Sequence, residues 1–303
     1  MDRITKTWAP AKVFRVCEIV PRTLCSLSVF QGGRDVKVSL VQMNSGSDKA
    51  ENLKTAAALI DKAVRDEAPD LIVLPEYYAF LGEGRENIHA SAETFPDGES
   101  YRLMSDLAAR HKVTIHAGSV VERDGNNHYN TTLVFGPTGK EIARYRKMHL
   151  FDVDIAGGIS YRESDTISRG EEVVTYKVGD TTVGCAICYD IRFPELFRKL
   201  RDKGSDVIVL PAAFTLMTGK DHWEVLARAR AIETQTYFLA VGQVGSHSGG
   251  KKWCWGHTMV IDPWGHIVAQ CSDRVTTTTA RLDLDYNGFV RANVPVAQHH
   301  VLA

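Results

Sequence analysis

From Asp35 onward the chain alternates between two hydrophobic rhythms. "VKVSLVQM" reads as a strand. The stretch "SDKAENLKTAAALIDKAVRDEAPD" places Leu53, Ala57, Ile60 and Val64 at helical spacing, with Asp48 as a plausible N-cap. "DLIVLPE" is an unbroken apolar run from Leu71 to Leu74 stopped by Pro75, as in a strand buried on both faces. "ESYRLMSDLAARHK" returns to helical spacing and "VTIHAGSVVE" to strand. Hairpin signals follow at Gly136–Gly139 and Gly179-Asp180. "RFPELFRKLRDKG" predicts a helix with Pro194 in its first turn and Gly204 just past its end. After it come the strand "DVIVLPAAF", the helix "DHWEVLARARAIETQ", the strand "TYFLAVGQV" and a last hairpin turning at Asp262–Gly265. Strands alternating with helices, with hairpins inserted, predict an α/β fold: a mixed sheet or two stacked sheets with helices outside. The expected domain runs over 36–299, with 300–303 as a tail.

An internal echo sharpens one position. "DLIVLPE" at 70 and "DVIVLPA" at 206 match nearly residue for residue, but where one copy ends in Glu76 the other ends in Ala212. The pairing suggests related places in two halves of the fold. It also raises the question of what a carboxylate does at the mouth of a core strand.

Composition narrows the partners. The 303 residues are 44% hydrophobic and 24% charged, and 36 Lys plus Arg against 37 Asp plus Glu leave a net charge of −1. Nothing in that balance points to nucleic acid or a membrane surface, and no apolar stretch approaches the roughly 20 residues that span a bilayer. Cys185 and Cys188 form a C-x-x-C, but within a strand they point to opposite faces and no second C-x-x-C accompanies them. Six cysteines in a chain this long fit a reducing, cytoplasmic setting. Residues 1–35 stand apart: basic residues outnumber acidic ones and periodicity is weak. They read as a disordered extension or as a transit peptide, the latter implying a mitochondrial location.

Three further segments end a strand or hairpin in a reactive side chain. "CAICYDIRFPEL" places Cys188 at a strand-to-helix turn, where backbone N–H groups and the helix dipole favour a thiolate. "ARYRKMHLFD" places Lys147 at the end of a hairpin strand, and the loop beyond carries Glu163 in "SYRESDT". Taken singly, a cysteine ending a strand is most often core packing, a lysine after a hairpin a solvated charge, and a glutamate after proline a loop residue or cap. Together, a cysteine, a lysine and two carboxylates suit acyl transfer to sulfur. Glu76 would accept the thiol proton, Lys147 would stabilise the thiolate and then the oxyanion, and the Tyr189 backbone N–H would be a second oxyanion donor. Zinc spacings such as H-E-x-x-H, a G-x-S-x-G elbow and a Gly-rich phosphate loop do not occur.

"LPEYYAF", "YRKMHLFD" and "CYDIRFPEL", in this order, resemble the nitrilase superfamily of carbon–nitrogen hydrolases over roughly 36–299. The resemblance implies a four-layer α-β-β-α sandwich and a Glu–Lys–Cys triad on Glu76, Lys147 and Cys188. It also implies an orienting second glutamate on Glu163, no metal or organic cofactor, and at least a homodimer. Tyr189-Asp190 stands where true nitrilases typically carry Trp-Glu.

With "AAFTLMTGKDHWEVLARARAIETQTYFLA" and "WGHTMVIDPWG", the chain resembles the Nit branch. That implies a small carboxylate-bearing amide as substrate: deaminated glutathione first, α-ketoglutaramate or an N-carbamoyl amino acid as alternatives. A catalytically idle scaffold of the same fold is the reading from another class. Arg192, four residues after the cysteine, is the candidate anchor for a substrate carboxylate, or else ties down the loop by pairing with an acid. Phe214, Thr215 and Thr218 are candidate pocket residues. Lys220-Asp221, where the branch has Pro-Ala, is a candidate specificity contact. His299-His300 reads as a surface or interface feature, and Trp253, Trp255 and Trp264 as packing.

Overall fold

A computed structural model describes residues 35–154 and 160–301. The extension expected before residue 35 lies outside the described residues, as does the end of the 300–303 tail. The first sheet is built from β1 (Asp35–Gln42), β2 (Leu71–Val73), β3 (Thr114–His116), β4 (Val120–Asp124), β5 (Asn127–Phe135), β6 (Glu141–Arg146) and the late strand β17 (Thr276–Asp283). Its order is β17-β1-β2-β3-β5-β4, with β6 pairing β5. The second sheet takes β9 (Thr175–Val178), β10 (Thr181–Cys185), β11 (Val207–Ala212), β12 (Tyr237–Gly242), β15 (Met259–Ile261) and β16 (Ile267–Gln270), in the order β16-β15-β12-β11-β10-β9. Two small ribbons, β7–β8 (Asp152–Asp154 with Ser160–Arg162) and β13–β14 (Val244–His247 with Lys252–Trp255), stand off the sheets.

The layering follows from two-residue alternation on the strands. On β1 and β2, Val38, Leu40, Leu71 and Val73 face a core shared with Val183, Cys185, Val207 and Val209 of the second sheet. The intervening Val41, Ile72 and Leu74 turn the other way, onto helices α1 (Lys49–Glu67) and α3 (Glu99–His111), the short α2 (Arg85–Ser91) lying between these two in sequence. Helices α4 (Pro194–Asp202) and α5 (Leu216–Thr234) cover the far face of the second sheet through Phe197, Leu200, Trp223, Ala227 and Ala231. A last helix, α6 (Leu284–Asn293), follows β17. The result is the four-layer α-β-β-α sandwich. Each fully buried Val, Leu or Ile contributes about 1.5–3 kcal/mol, so the inter-sheet layer is the main source of cohesion between the halves.

Local rules act where expected, with three differences. The Asp48 side chain accepts from the Glu51 N–H at 3.0 Å and caps α1, but the buried stripe is Leu53, Ala56, Ile60 and Ala63, so Ala57 and Val64 are flankers. Helix α5 begins at Leu216, five positions before the predicted start at Asp221, and so absorbs Thr218 and Lys220. The stretch read as one strand, "VTIHAGSVVE", is two strands broken at Gly118. There φ is +46°, and a Cβ would lie 2.0 Å from the Pro75 carbonyl oxygen. The break lets the chain pass directly over the end of β2.

The echoed strands do hold matching places: β2 runs parallel to β1 and β3, and β11 parallel to β10 and β12. Their carboxyl ends meet. The Val244 N–H donates to the Met43 carbonyl at 2.8 Å. Gln243 Nε2 donates to the Glu76 carbonyl at 3.0 Å and to Ser45 Oγ at 2.9 Å, tying the two sheets together at one edge.

Replacing Gly118 by Ala forces both a positive φ and a backbone clash, and is expected to cost about 2–4 kcal/mol in urea unfolding. Gly125→Ala, at φ +58° with nothing within 4 Å, is the control and should cost about 1 kcal/mol. Equal losses at the two positions would mean that the approach to Pro75 is not what requires glycine.

Candidate active site

The four residues singled out from sequence come together at this edge, each delivered by a different strand end. Glu76 follows β2, Lys147 follows β6, Glu163 follows β8, and Cys188 follows β10. Their exposures are 2%, 2%, 2% and 8%. Lys147 Nζ lies 3.0 Å from Glu76 Oε1 and 2.9 Å from Glu163 Oε2. Burial opposes the ammonium charge, but the Glu163 and Glu76 carboxylates outweigh it and hold the lysine well above its ordinary range. Burial likewise opposes ionised Glu163, and Lys147 together with the Phe151 N–H and Tyr77 OH overcomes it, so this carboxyl sits below its ordinary value.

Two buried carboxylates on one ammonium leave a negative charge, and neutral donors share it out. The Ala213 N–H donates to Glu76 Oε2 at 2.7 Å. Asn130 Nδ2 donates to Glu76 Oε1 at 2.8 Å and to Glu163 Oε1 at 3.3 Å. The Phe151 N–H and Tyr77 OH donate to Glu163 at 2.7 and 2.9 Å. Lys147 donates to Glu76 Oε1 at 3.0 Å and to Glu163 Oε1 and Oε2 at 3.2 and 2.9 Å, so all three of its N–H bonds are engaged at rest.

Cys188 sits on a sharp turn. Its φ is +47°, in the left-handed region that non-glycine residues adopt only when their surroundings impose it. Asp190 does the imposing. Its fully buried carboxylate accepts from the Ile187 N–H at 2.8 Å, Tyr145 OH at 2.7 Å and His149 Nδ1 at 2.7 Å. The turn leaves the Tyr189 N–H without a hydrogen bond to any described residue, available to an oxyanion.

The thiolate expected at this turn is not its resting state. Burial first, then the Glu76 carboxylate, push the thiol well above its ordinary 9.0, and Lys147 with the Ala213 N–H only partly offsets them. The helix dipole invoked for a thiolate is absent, because a single 3-10 turn follows Cys188 and α4 starts only at Pro194. Its partner in the C-x-x-C, Cys185, is buried in the inter-sheet core.

A cavity of about 390 Å³ opens onto the four residues. Phe214, Thr215 and Thr218 are among the residues that line it. Arg192 does not line it: its Nη2 lies 3.2 Å from His222 Nδ1, and its guanidinium sits over the Phe214 and Tyr189 rings at 5.4 and 5.8 Å. It stacks on these two rings of the pocket wall, and no acid among the described residues pairs with it. Lys220 is also outside the lining, exposed on α5 beside Asp221. Trp253, read from sequence as packing, borders the cavity and is half-exposed.

Sequence reasoning missed Asn130, Tyr77, Asp190 and two cations at the cavity mouth, Lys251 and Lys252. Asn130-Thr131-Thr132 is a polar run inside an otherwise buried strand, a signal that could have been read. Two lysines directly after Gly249-Gly250 were another.

Residues 37–292 match the carbon-nitrogen hydrolase family, to which the chain belongs. It is a hydrolase of carbon–nitrogen bonds in linear amides. Deaminated glutathione amidase of Synechocystis sp. (strain PCC 6803 / GT-S) is 41% identical over 266 residues, covering 86% of this chain and 96% of that protein. Omega-amidase NIT2-A of Xenopus laevis is 37% identical over 260 residues, covering 86% and 93%. The crystal structure of Saccharomyces cerevisiae Nit3, of branch 10 of the nitrilase superfamily, superposes with a TM-score of 0.80 at 33% identity, covering 88% of this chain and 97% of that one.

A thiol held above 9.0 is alkylated in proportion to its small thiolate fraction. Iodoacetamide labelling of Cys188, followed by peptide mass spectrometry, should therefore keep rising about tenfold per pH unit from 7 to 9. A rate already level by pH 7 would show a resting thiolate.

Proposed function

We propose that the chain hydrolyses deaminated glutathione to α-ketoglutarate and cysteinylglycine through a thioester on Cys188, with residues 36–299 as the catalytic domain. The supporting observation is the buried Glu76–Lys147–Glu163 chain at the base of a cavity that also exposes Cys188. Glu76 takes the thiol proton as sulfur attacks the amide carbon, so nucleophile and base are activated together and no standing thiolate is needed. The oxyanion forms between the Tyr189 N–H and Lys147, which gives up its longer hydrogen bond to Glu163 Oε1, 3.2 Å, to receive it. Glu76 passes its proton to the leaving nitrogen, the C–N bond breaks and cysteinylglycine departs. Glu76 then takes a proton from water, which attacks the thioester. The C–S bond breaks, α-ketoglutarate leaves, and Glu76 returns its proton to sulfur, restoring the thiol. Glu163 positions Lys147 and does not touch the reacting atoms.

The substrate assignment follows the 41% identical relative. The 37% identical relative supports a second reading, ω-amidase action on α-ketoglutaramate. An idle scaffold is disfavoured because Lys147 bonds both Glu76 and Glu163 at the cavity that Cys188 also lines.

For assembly, the relevant surface is on α5. Val225 and Ile232, 68% and 49% exposed, are seven residues apart on one helix face, and Trp264, 50% exposed, lies on the turn whose Gly265 packs against Ile232. We propose that this apolar face pairs two copies of the chain. No helix among the described residues is long and apolar enough to cross a membrane, and the reduced state of the thiol chemistry fits the cytoplasm.

Measuring α-ketoglutarate release from deaminated glutathione and from α-ketoglutaramate ranks the two readings, because both yield the same keto acid. We expect deaminated glutathione to be preferred and Cys188→Ala to lower turnover by at least about 10⁴-fold. Full activity in that variant would remove the mechanism. Preference for α-ketoglutaramate would select the ω-amidase reading, and silence on both would direct the search to N-carbamoyl amino acids. Light scattering after size exclusion should give a dimer or larger species, reduced toward monomer by a Val225→Glu, Ile232→Glu double variant. A wild-type monomer would refute the pairing.

A further inference from the structure

Charge is distributed unevenly along the depth of the cavity. At the floor, Glu76 and Glu163 share Lys147 as their one cationic partner among the described residues, and the thiol of Cys188 is held above its ordinary value, so the local balance is negative. A substrate carboxylate is repelled from that end. At the mouth the sign reverses. Lys251, on the turn between β13 and β14, and Lys252, the first residue of β14, line the opening and are exposed.

The two lysines are not equivalent. Lys252 is engaged, its Nζ 2.9 Å from Glu83 Oε1 and 5.4 Å from the centre of the Tyr161 ring. Glu83 sits below its ordinary value first because of its hydrogen bond to Lys252, and Lys251 contributes to that shift only through space. The Lys251 ammonium forms no ion pair or side-chain hydrogen bond with a described residue. One carboxylate therefore answers two ammonium groups, and the charge left over belongs to Lys251.

The chemistry of a thioester enzyme says which end of the substrate reaches this point. The acyl half stays on Cys188 while the amine half must depart before water enters, so the leaving group occupies the part of the cavity nearest solvent. A cysteinylglycine leaving group extends two residues, about 7 Å, from the scissile bond and ends in a carboxylate. Ammonia, the leaving group of a primary ω-amide, has no such end. We infer that Lys251 receives the terminal carboxylate of the leaving dipeptide and so favours dipeptide amides over primary amides. This rests on the proposal that Cys188 is acylated and that deaminated glutathione is the substrate.

Lysine is a flexible, strongly hydrated point charge, and at an exposed site its contribution is modest. The test is kcat/KM for deaminated glutathione divided by kcat/KM for α-ketoglutaramate, measured on the full chain and on Lys251→Ala, Lys251→Arg and Lys251→Glu. The ratio should fall about fivefold in the alanine variant. It should fall further in the glutamate variant and return toward the wild-type value in the arginine variant. An unchanged ratio overturns the inference. Equal losses on both substrates also overturn it, because they place Lys251 against the carboxylate that the two acyl groups share. A wild-type chain that hydrolyses α-ketoglutaramate but not deaminated glutathione overturns the substrate reading itself, and the inference with it.

Discussion

The structure depends on keeping one ammonium and two carboxylates dry. Lys147, Glu76 and Glu163 are all but inaccessible, and desolvating isolated charges of this kind costs several kcal/mol each. The cost is bearable only because every carboxylate oxygen has a donor, drawn from the Ala213 and Phe151 backbones, Asn130 and Tyr77 as well as from the lysine. Those donors come from both sheets and from the loops between them. The polar cluster is therefore a constraint on how the two halves of the sandwich meet as well as a piece of chemistry.

That constraint explains local features that look unrelated. Gly118 must be a glycine so that one strand can end directly above Pro75. The Ser119 Oγ then accepts the Tyr77 N–H at 3.1 Å, which helps aim the phenol at Glu163. Asp190 bends the chain at Cys188 into a left-handed turn and is itself held by Tyr145 and His149. Tyr145, Lys147 and His149 belong to one short stretch at the end of β6 and just beyond it, so the same segment supplies the ammonium and fixes the turn that presents the sulfur.

Much of this was legible in the sequence, for physical reasons that can be named. Buried parallel strands write themselves as apolar runs, so β2 and β11 were visible, and a reactive residue directly after such a run, as with Glu76 and Cys188, is unusual enough to notice. Helix α1 was visible through its cap and its periodic face. The protonation state of Cys188 was not, because it is set by Glu76, a residue distant in sequence, and by burial. Arg192 was misplaced for a related reason: proximity in sequence to the cysteine says nothing about which side of a turn a long side chain takes, and the Phe214 and Tyr189 rings capture it. The start of α5 was missed because "LMTGK" carries a glycine and a threonine, which weaken the helical signal that tertiary packing restores.

Glu76 hangs from the first sheet and Cys188 from the second, and the hydrogen bond from Ala213, directly after β11 of the second sheet, is what holds the carboxylate in register with the sulfur. The reacting groups thus span the seam of the sandwich. The spacing between base and nucleophile is inherited from side chains such as Leu40, Val73 and Val209 that fill the layer between the sheets. An enzyme built this way has its catalytic geometry written in its filling, so substitutions deep in that layer act as spacers. Evolution can retune the reaction there without changing a single residue that the substrate meets.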